Sequence, residues 1–462
     1  MGKKRSSPSE PNSSETPRRA TVEPRKDGTR DVIESIVIAF ILAFMFRTFE
    51  AEAFVIPTGS MAPTLMGRHR EIQGPDGSWF QVGASDEIDR STGAFVPRRE
   101  VYSTTSPLYG QTIPTPQSQG HYSYSGDRIL VSKIAYLWKD PERWDVVVFK
   151  FPHGANENYI KRLVGKPGEG IRIFGGDVYA RPAGESEFEV ARKDPRKTMA
   201  MLQIVHDNDY QSQPLRKIGW PTRWTAENKT GWKESSDGKS FSLKGSNAPA
   251  WLRYQHTLPT WSDWEDIRAG KKPAAPSRRL IKDLCHYNTG NRKEDHFGNM
   301  AIVEPPGDAM GRRWVGDLAM ECELQVESAG RKPEARLELV KGGLRFQCRI
   351  NLQTGVASLW KIDPGVPAPM KPFATSLQPT ALRGKSSSRK LRFSNVDCQL
   401  RLWVDGKVIA FDKPTTYSPW RNLKPRQADF APAGVALQDA QATVDHMKIF
   451  RDIYYYADGY EG

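Results

Sequence analysis

Residues 143–169 read "RWDVVVFKFPHGANENYIKRLVGKPGE", an apolar strand, a turn holding His153 and a second strand, and the reading of this stretch decides the fold. Side chains alternate between the faces of a strand, so Tyr159, Lys161 and Leu163 share one face while Ile160, Arg162 and Val164 share the other. Lys161 is therefore flanked by apolar neighbours. An apolar setting penalises an ammonium ion, which is how a lysine comes to serve as a base. Just upstream, "GDRILVSKIAY" (126–136) opens on a Gly-Asp turn and gives a third strand. Taken singly, Lys161 reads equally well as an exposed strand lysine and Asp127 as turn chemistry.

Further upstream the chain reads "EAFVIPTGSMAPTLMG" (52–67). Phe54 and Ile56 alternate along a strand, Pro57 to Gly59 turn the chain, and Ser60 falls on the bend. A strand edge just before such a serine suits pairing with an extended peptide. Of the eight histidines, His69 and His121 lie in polar surroundings and His153 in a turn, so no Ser-His-Asp set is evident. A lysine base is the alternative.

Before the serine comes "SIVIAFILAFMF" (35–46), uncharged and apolar. Asp31 to Phe49 approaches the ~20 residues that cross a bilayer as a helix. A cleaved signal peptide, with Ala51 and Ala53 at the cut, and a buried core helix are the alternatives. The net charge of +13 suggests anionic partners, and much of the excess lies early: residues 1–30 hold eight Lys or Arg against Glu10, Glu15, Glu23 and Asp27. That end reads as a disordered basic tail kept in the cytoplasm by the positive-inside rule. Everything after residue 50 then lies on the outer side. With no Lys/Arg-rich helix and no RNA-binding signature, nucleic acid is set aside as a partner.

In this order, "PTGSMAPTLMG", "SGDRILVSKIAY" and residues 143–169 resemble the type I signal peptidase family, over residues 31–66 and 126 to about 180. The resemblance implies a membrane-anchored serine endopeptidase that cuts signal peptides from secretory pre-proteins after small residues of the Ala-x-Ala type. It implies Ser60 as nucleophile, Lys161 as general base, and Thr58 with the Ser60 N–H as the oxyanion hole. Phe54, Ile56, Leu65, Tyr159 and Ile160 would line the small substrate pockets, and Asp127 and Arg162 would support the site. Neither cofactor nor metal is implied. The location implied is the cytoplasmic membrane, crossed once.

Two departures stand out. The 59 residues from 67 to 125 are a polar insertion where the family has a few residues, expected to form a loop or small subdomain. The family's last motif, Gly-Asp-Asn followed by Ser-x-Asp-Ser-Arg, is not in the sequence. The expectation is that the chain stops before the catalytic fold resumes, with 457–462 as the start of the return; the alternative is a protein that works without it.

Beyond the lysine segment the character changes. Residues 181–280 hold six tryptophans, and strict alternation then appears in "AMECELQVES" (319–328), "LRFQCRINL" (344–352) and "VDCQLRLWVDGKVIAFD" (396–412), the last turning at Asp405-Gly406. Residues 181–456 are expected to form an inserted β-sandwich of jelly-roll type resembling concanavalin-like or laminin-G-like domains. Tryptophans such as Trp232 and Trp251 would stack on a glycan or cell-wall polymer, or else pack the core. The four cysteines have no CxxC spacing and read as small buried strand residues, with one or two disulfides as the alternative. The whole is thus a mostly β protein: a single N-terminal transmembrane helix (31–49) and a signal-peptidase-type catalytic domain (50–66 and 126–180) interrupted by a large sandwich. The rival function is a catalytically incomplete anchored protein whose sandwich binds a glycan or protein partner.

Overall fold

The computed structural model describes residues 28–89, 91–116, 118, 120–152, 154–292, 311–367, 369–384, 387–420 and 423–456. The basic tail to residue 27, His153 and the segment 457–462 lie outside the described residues. The chain divides into two compact units.

The smaller unit holds residues up to Glu52 together with Leu130–Trp138. Its helix runs Gly28–Met45, and Phe46–Glu50 continue as a wider π-helical turn before the chain extends at Ala51. This differs from the single span expected over residues 31–49. At 18 residues the α-helix reaches about 27 Å, Arg30, Asp31 and Glu34 occupy its first turns, and Arg47 and Glu50 end the apolar run. No described helix is long and apolar enough to cross a membrane. None of the helix's residues is buried, and Leu137 and Trp138 are 76% and 84% exposed.

The larger unit begins with three small sheets. Val146–Phe151 and Gly154–Arg162 pair antiparallel, with Val147 opposite Lys161 and Phe149 opposite Tyr159. Gly170–Phe174, Asp177–Arg181 and Glu189–Val190 form a three-stranded sheet. Trp144, Val178, Ala180, Ala191 and Met201 form a core there, joined by Val164, Ile173, Ile453 and Tyr455. The chain thus comes back to this core at Ile453 and Tyr455, and the Tyr455 N–H donates to Gly176 O at 3.0 Å.

The polar insertion is a folded subdomain. His69–Gln73 pairs with Trp79–Gly83 and Ser123–Tyr124, while Val101–Thr105 pairs with Thr112–Pro114 and with Asn291–Arg292 from far downstream. Ile72, Phe80, Val82 and Val101 form its core. Arg70 and Glu87 are wholly buried and ion-paired at 2.5 Å, and Glu87 also accepts the Val101 N–H at 2.7 Å.

The sandwich is organised by two long strands, Leu318–Lys341 and Ala433–Arg451, paired with each other along most of their length. Bulges near Glu321, Val326 and Ala329 bend the first of them, so its start also pairs with Arg389–Val396 and its end with Leu344–Asn351. Met320, Cys322, Leu324 and Val326 face the core with Phe346, Cys348, Ile350, Leu400 and Leu402, as the alternation predicts. Asp405 and Gly406 both have positive φ, the conformation of a tight two-residue hairpin. All four cysteines are free, and burial raises the thiol pKa of Cys322, Cys348 and Cys398. Trp232 is buried with its indole N–H on Ala250 O at 3.0 Å, and the Trp251 ring lies under the Arg253 guanidinium at 3.9 Å. These two rings pack the protein and are not the open platforms expected of a sugar site.

Candidate active site

Ser60 sits at the centre of a single 3₁₀ turn, Gly59–Met61, preceded by extended Thr58. Ile56 and Met61, 2% and 6% exposed, anchor the turn from either side and leave Ser60 exposed. The backbone around it is tightly packed. A Cβ on Gly126 would lie 1.9 Å from Ile56 O, and one on Gly67 would lie 2.2 Å from the Thr58 carbonyl carbon. Asp127 ties both sides of the turn: its Oδ2 accepts the Met66 N–H at 2.7 Å and its carbonyl accepts the Ile56 N–H at 3.0 Å. Arg162 links the lysine strand to the same segment, donating to Thr64 Oγ1 at 3.0 Å and to Trp144 O at 2.9 Å. Burial lowers the pKa of its guanidinium.

The Gly59–Met61 turn packs against Gly154–Arg162, the strand that carries Lys161. Lys161 is exposed, with its Nζ 5.7 Å from the centre of the Tyr159 ring. The shielding expected for this amine is therefore not present in the free protein: Ile160 and Arg162, the half-buried neighbours, lie on the opposite face of the strand. Tyr159 stacks on Phe151 at 4.6 Å. Phe54, Leu65, Tyr159 and Ile160 are half-buried and Ile56 is buried.

Thr58, Gly59 and Ser60 line a cleft of about 530 Å³ whose other walls are Gly83, Ser85 and Asp86 from the insertion and Tyr287, Asn288, Gly290 and Arg292. Asp86 and Arg292 are ion-paired at 2.7 Å. Sequence reasoning placed residues 285–292 in the sandwich and missed them at this site. More than 220 positions separate Tyr287 from Ser60, and no local pattern marks a contact over that distance. The one signal was a pair of glycines, Gly59 and Gly83, with no turn to explain the second. The expected pocket residues Phe54, Ile56, Leu65, Tyr159 and Ile160 are not among the described residues lining this cleft, nor is Lys161.

A family model described as signal peptidase, peptidase S26, matches residues 112–218, which include Lys161 and Arg162 and stop short of Ser60. The signal peptidase I of Rickettsia bellii (strain OSU 85-389) is 28% identical over 149 residues, 32% of this chain and 37% of that protein. The probable signal peptidase I-2 of Synechocystis sp. is 28% identical over 152 residues, 32% of this chain and 43% of that one. The chain thus matches less than half the length of these relatives. Among solved structures, the carbohydrate-binding module CBM66 from Bacillus subtilis aligns with 49% of this chain and 95% of its own at a TM-score of 0.27 and 11% identity. A protein of unknown function with a galectin-like fold from Bacillus subtilis covers 55% of this chain and 100% of its own at 0.28 and 9%. Structural likenesses this distant say nothing about a ligand.

Proposed function

The chain carries a type I signal peptidase domain, and from that premise we propose that it is a membrane-associated serine endopeptidase that removes signal peptides from exported pre-proteins after small residues. The observation that carries this reading is the packing of the exposed Ser60 turn against the strand that bears Lys161, beside an open cleft. In the proposal, Ser60 Oγ attacks the scissile carbonyl as its proton passes to the Lys161 amine. The oxyanion is held by the Ser60 N–H and the Thr58 hydroxyl, a contribution worth roughly 3 kcal/mol per donor. The lysine returns the proton to the leaving amine, the acyl-enzyme forms, and water activated by the same amine releases the signal peptide.

Such a base must be neutral when it acts, and Lys161 is open to water in the free protein. A peptide laid along Gly154–Arg162 covers it and expels that water, so in this reading the substrate completes the apolar setting. The apolar, fully exposed side chains of the helix Gly28–Met45, with Leu137 and Trp138, support a phospholipid bilayer as partner of the smaller unit, and with it the cytoplasmic membrane as the location. The glycan-binding reading of the sandwich is not carried further, because Trp232 and Trp251 are engaged in packing.

The test is cleavage of a secretory precursor with an Ala-x-Ala site by the full chain and by Ser60→Ala and Lys161→Met variants. Each substitution is expected to lower kcat by at least ~10³-fold with the precursor still bound. Turnover unchanged in both variants would remove the dyad and leave the non-catalytic binding protein.

A further inference from the structure

Gly59 and Gly83 have ordinary backbone angles, so it is space, not conformation, that requires glycine at both. A Cβ on Gly59 would lie 2.0 Å from Tyr287 Cε1, and one on Gly83 would lie 2.4 Å from the same atom. One edge of a single ring thus fills a notch between the backbone of the serine turn and the backbone of the insertion. The ring is 4% exposed. Its hydroxyl donates to Arg68 O at 2.9 Å, a carbonyl that also accepts the Ala84 N–H at 2.9 Å. Arg68 N–H in turn donates to Pro57 O, so the tyrosine is tied to the chain just before the serine as well as packed on the turn itself.

The segment that carries the tyrosine is fixed to the insertion. Asn291 pairs with Ser103 and donates from Nδ2 to Ser103 Oγ at 3.0 Å. The Thr289 and Thr104 hydroxyls bond at 2.9 Å, and a Cβ on Gly290 would meet Val101 at 2.9 Å. A ring held this firmly on one side limits where the turn can go on the other.

We propose that Tyr287 is a positioning residue for Ser60: wedged between Gly59 and Gly83, it holds the Gly59–Met61 turn so that the hydroxyl faces the cleft. This role rests on reading Ser60 as the nucleophile. An error of about 1 Å in the placement of a reacting group costs roughly 10²-fold in rate, so the effect of losing the ring belongs in kcat and not in substrate binding.

Precursor cleavage by the full chain, with each variant's thermal midpoint recorded, tests it. Tyr287→Ala is expected to lower kcat ~10–100-fold with KM within about threefold, and Tyr287→Phe, which keeps the ring and loses only the Arg68 bond, less than ~5-fold. Tyr287→Leu takes the place of the alanine variant should that one not fold. The contact is read directly by Gly59→Ala: it is expected to cost much more kcat in the natural background, where the ring occupies its space, than in the Tyr287→Ala or Tyr287→Leu background. A kcat within twofold of the natural enzyme after removal of the ring, or an equal cost of Gly59→Ala in both backgrounds, overturns the proposal. A Ser60→Ala control separates the two ideas. If it is inactive while the tyrosine variants are unaffected, only the positioning role fails; if it keeps full turnover, the nucleophile assignment fails and the positioning role with it.

Discussion

Asp127 shows how a single side chain holds the serine bend from beneath. Its carboxylate accepts the Met66 N–H and its carbonyl the Ile56 N–H, so one residue spans the bend from both sides. Asp127→Ala leaves the Met66 N–H unpaired, at a cost of about 1–3 kcal/mol; Asp127→Asn keeps an acceptor oxygen and is expected to recover most of the loss. Thermal midpoints of the two variants check this, and a midpoint for the alanine variant equal to that of the natural protein would rule it out. At this scale the sequence was legible where chemistry is local. Ser60 lies on the bend that "PTGSM" predicts. Lys161 was misjudged, because alternation tells which face a strand residue shares and not whether another layer covers that face.

Among the elements, the insertion departs most from its composition. A polar stretch rich in Gly, Ser and Pro reads as a loop, yet it encloses a core and a wholly buried ion pair, Arg70 with Glu87. Breaking a buried pair from one side strands a charge, so Glu87→Ala is expected to destabilise by about 3–5 kcal/mol. Limited proteolysis should then cut first within residues 67–125, and an unchanged digestion pattern would argue against it. The sandwich strands were legible for the opposite reason. Alternation over Met320–Val326 and Phe346–Ile350 and the Asp405-Gly406 turn are signals carried by neighbouring residues. The long N-terminal span was read from hydropathy, which does not register where Arg47 and Glu50 interrupt the α-helix.

For the whole molecule, three buried histidines set the response to acid. Burial lowers the pKa of His206 well below its ordinary value, with Arg223 adding to the effect, and takes His256 to about 3 and His286 to about 4. In each case the folded state holds the proton less tightly than the unfolded chain. Their contribution is therefore complete above the unfolded value near 6.5 and is lost as the pH falls toward the folded values, at up to about 1.4 kcal/mol per pH unit for each proton. Asp452 works the other way: burial raises it to about 6, so it favours the folded state as the pH falls through that value. The thermal midpoint is expected to drop on going from pH 7 to pH 5, and to drop less in a His206→Gln, His256→Gln variant. Equal slopes for the variant and the natural protein would show that these rings do not govern the response. None of this burial was visible in the sequence, because it depends on pairings between distant parts of the chain, such as Gln203 opposite Arg451.

That pairing has a further consequence. With Gln203 beside Arg451, and the buried Lys193 ammonium 2.7 Å from both Asp397 and Asp452, the chain departs from the peptidase core and re-enters it through one doorway. An excursion of some 250 residues with its ends so close can lengthen or change without disturbing the core, much as a room is refurbished behind a shut door. The tyrosine at 287 is the exception. It is supplied from inside that room, so a shortened protein that closes the doorway early would keep its serine and lysine and lose the wedge between them and the insertion.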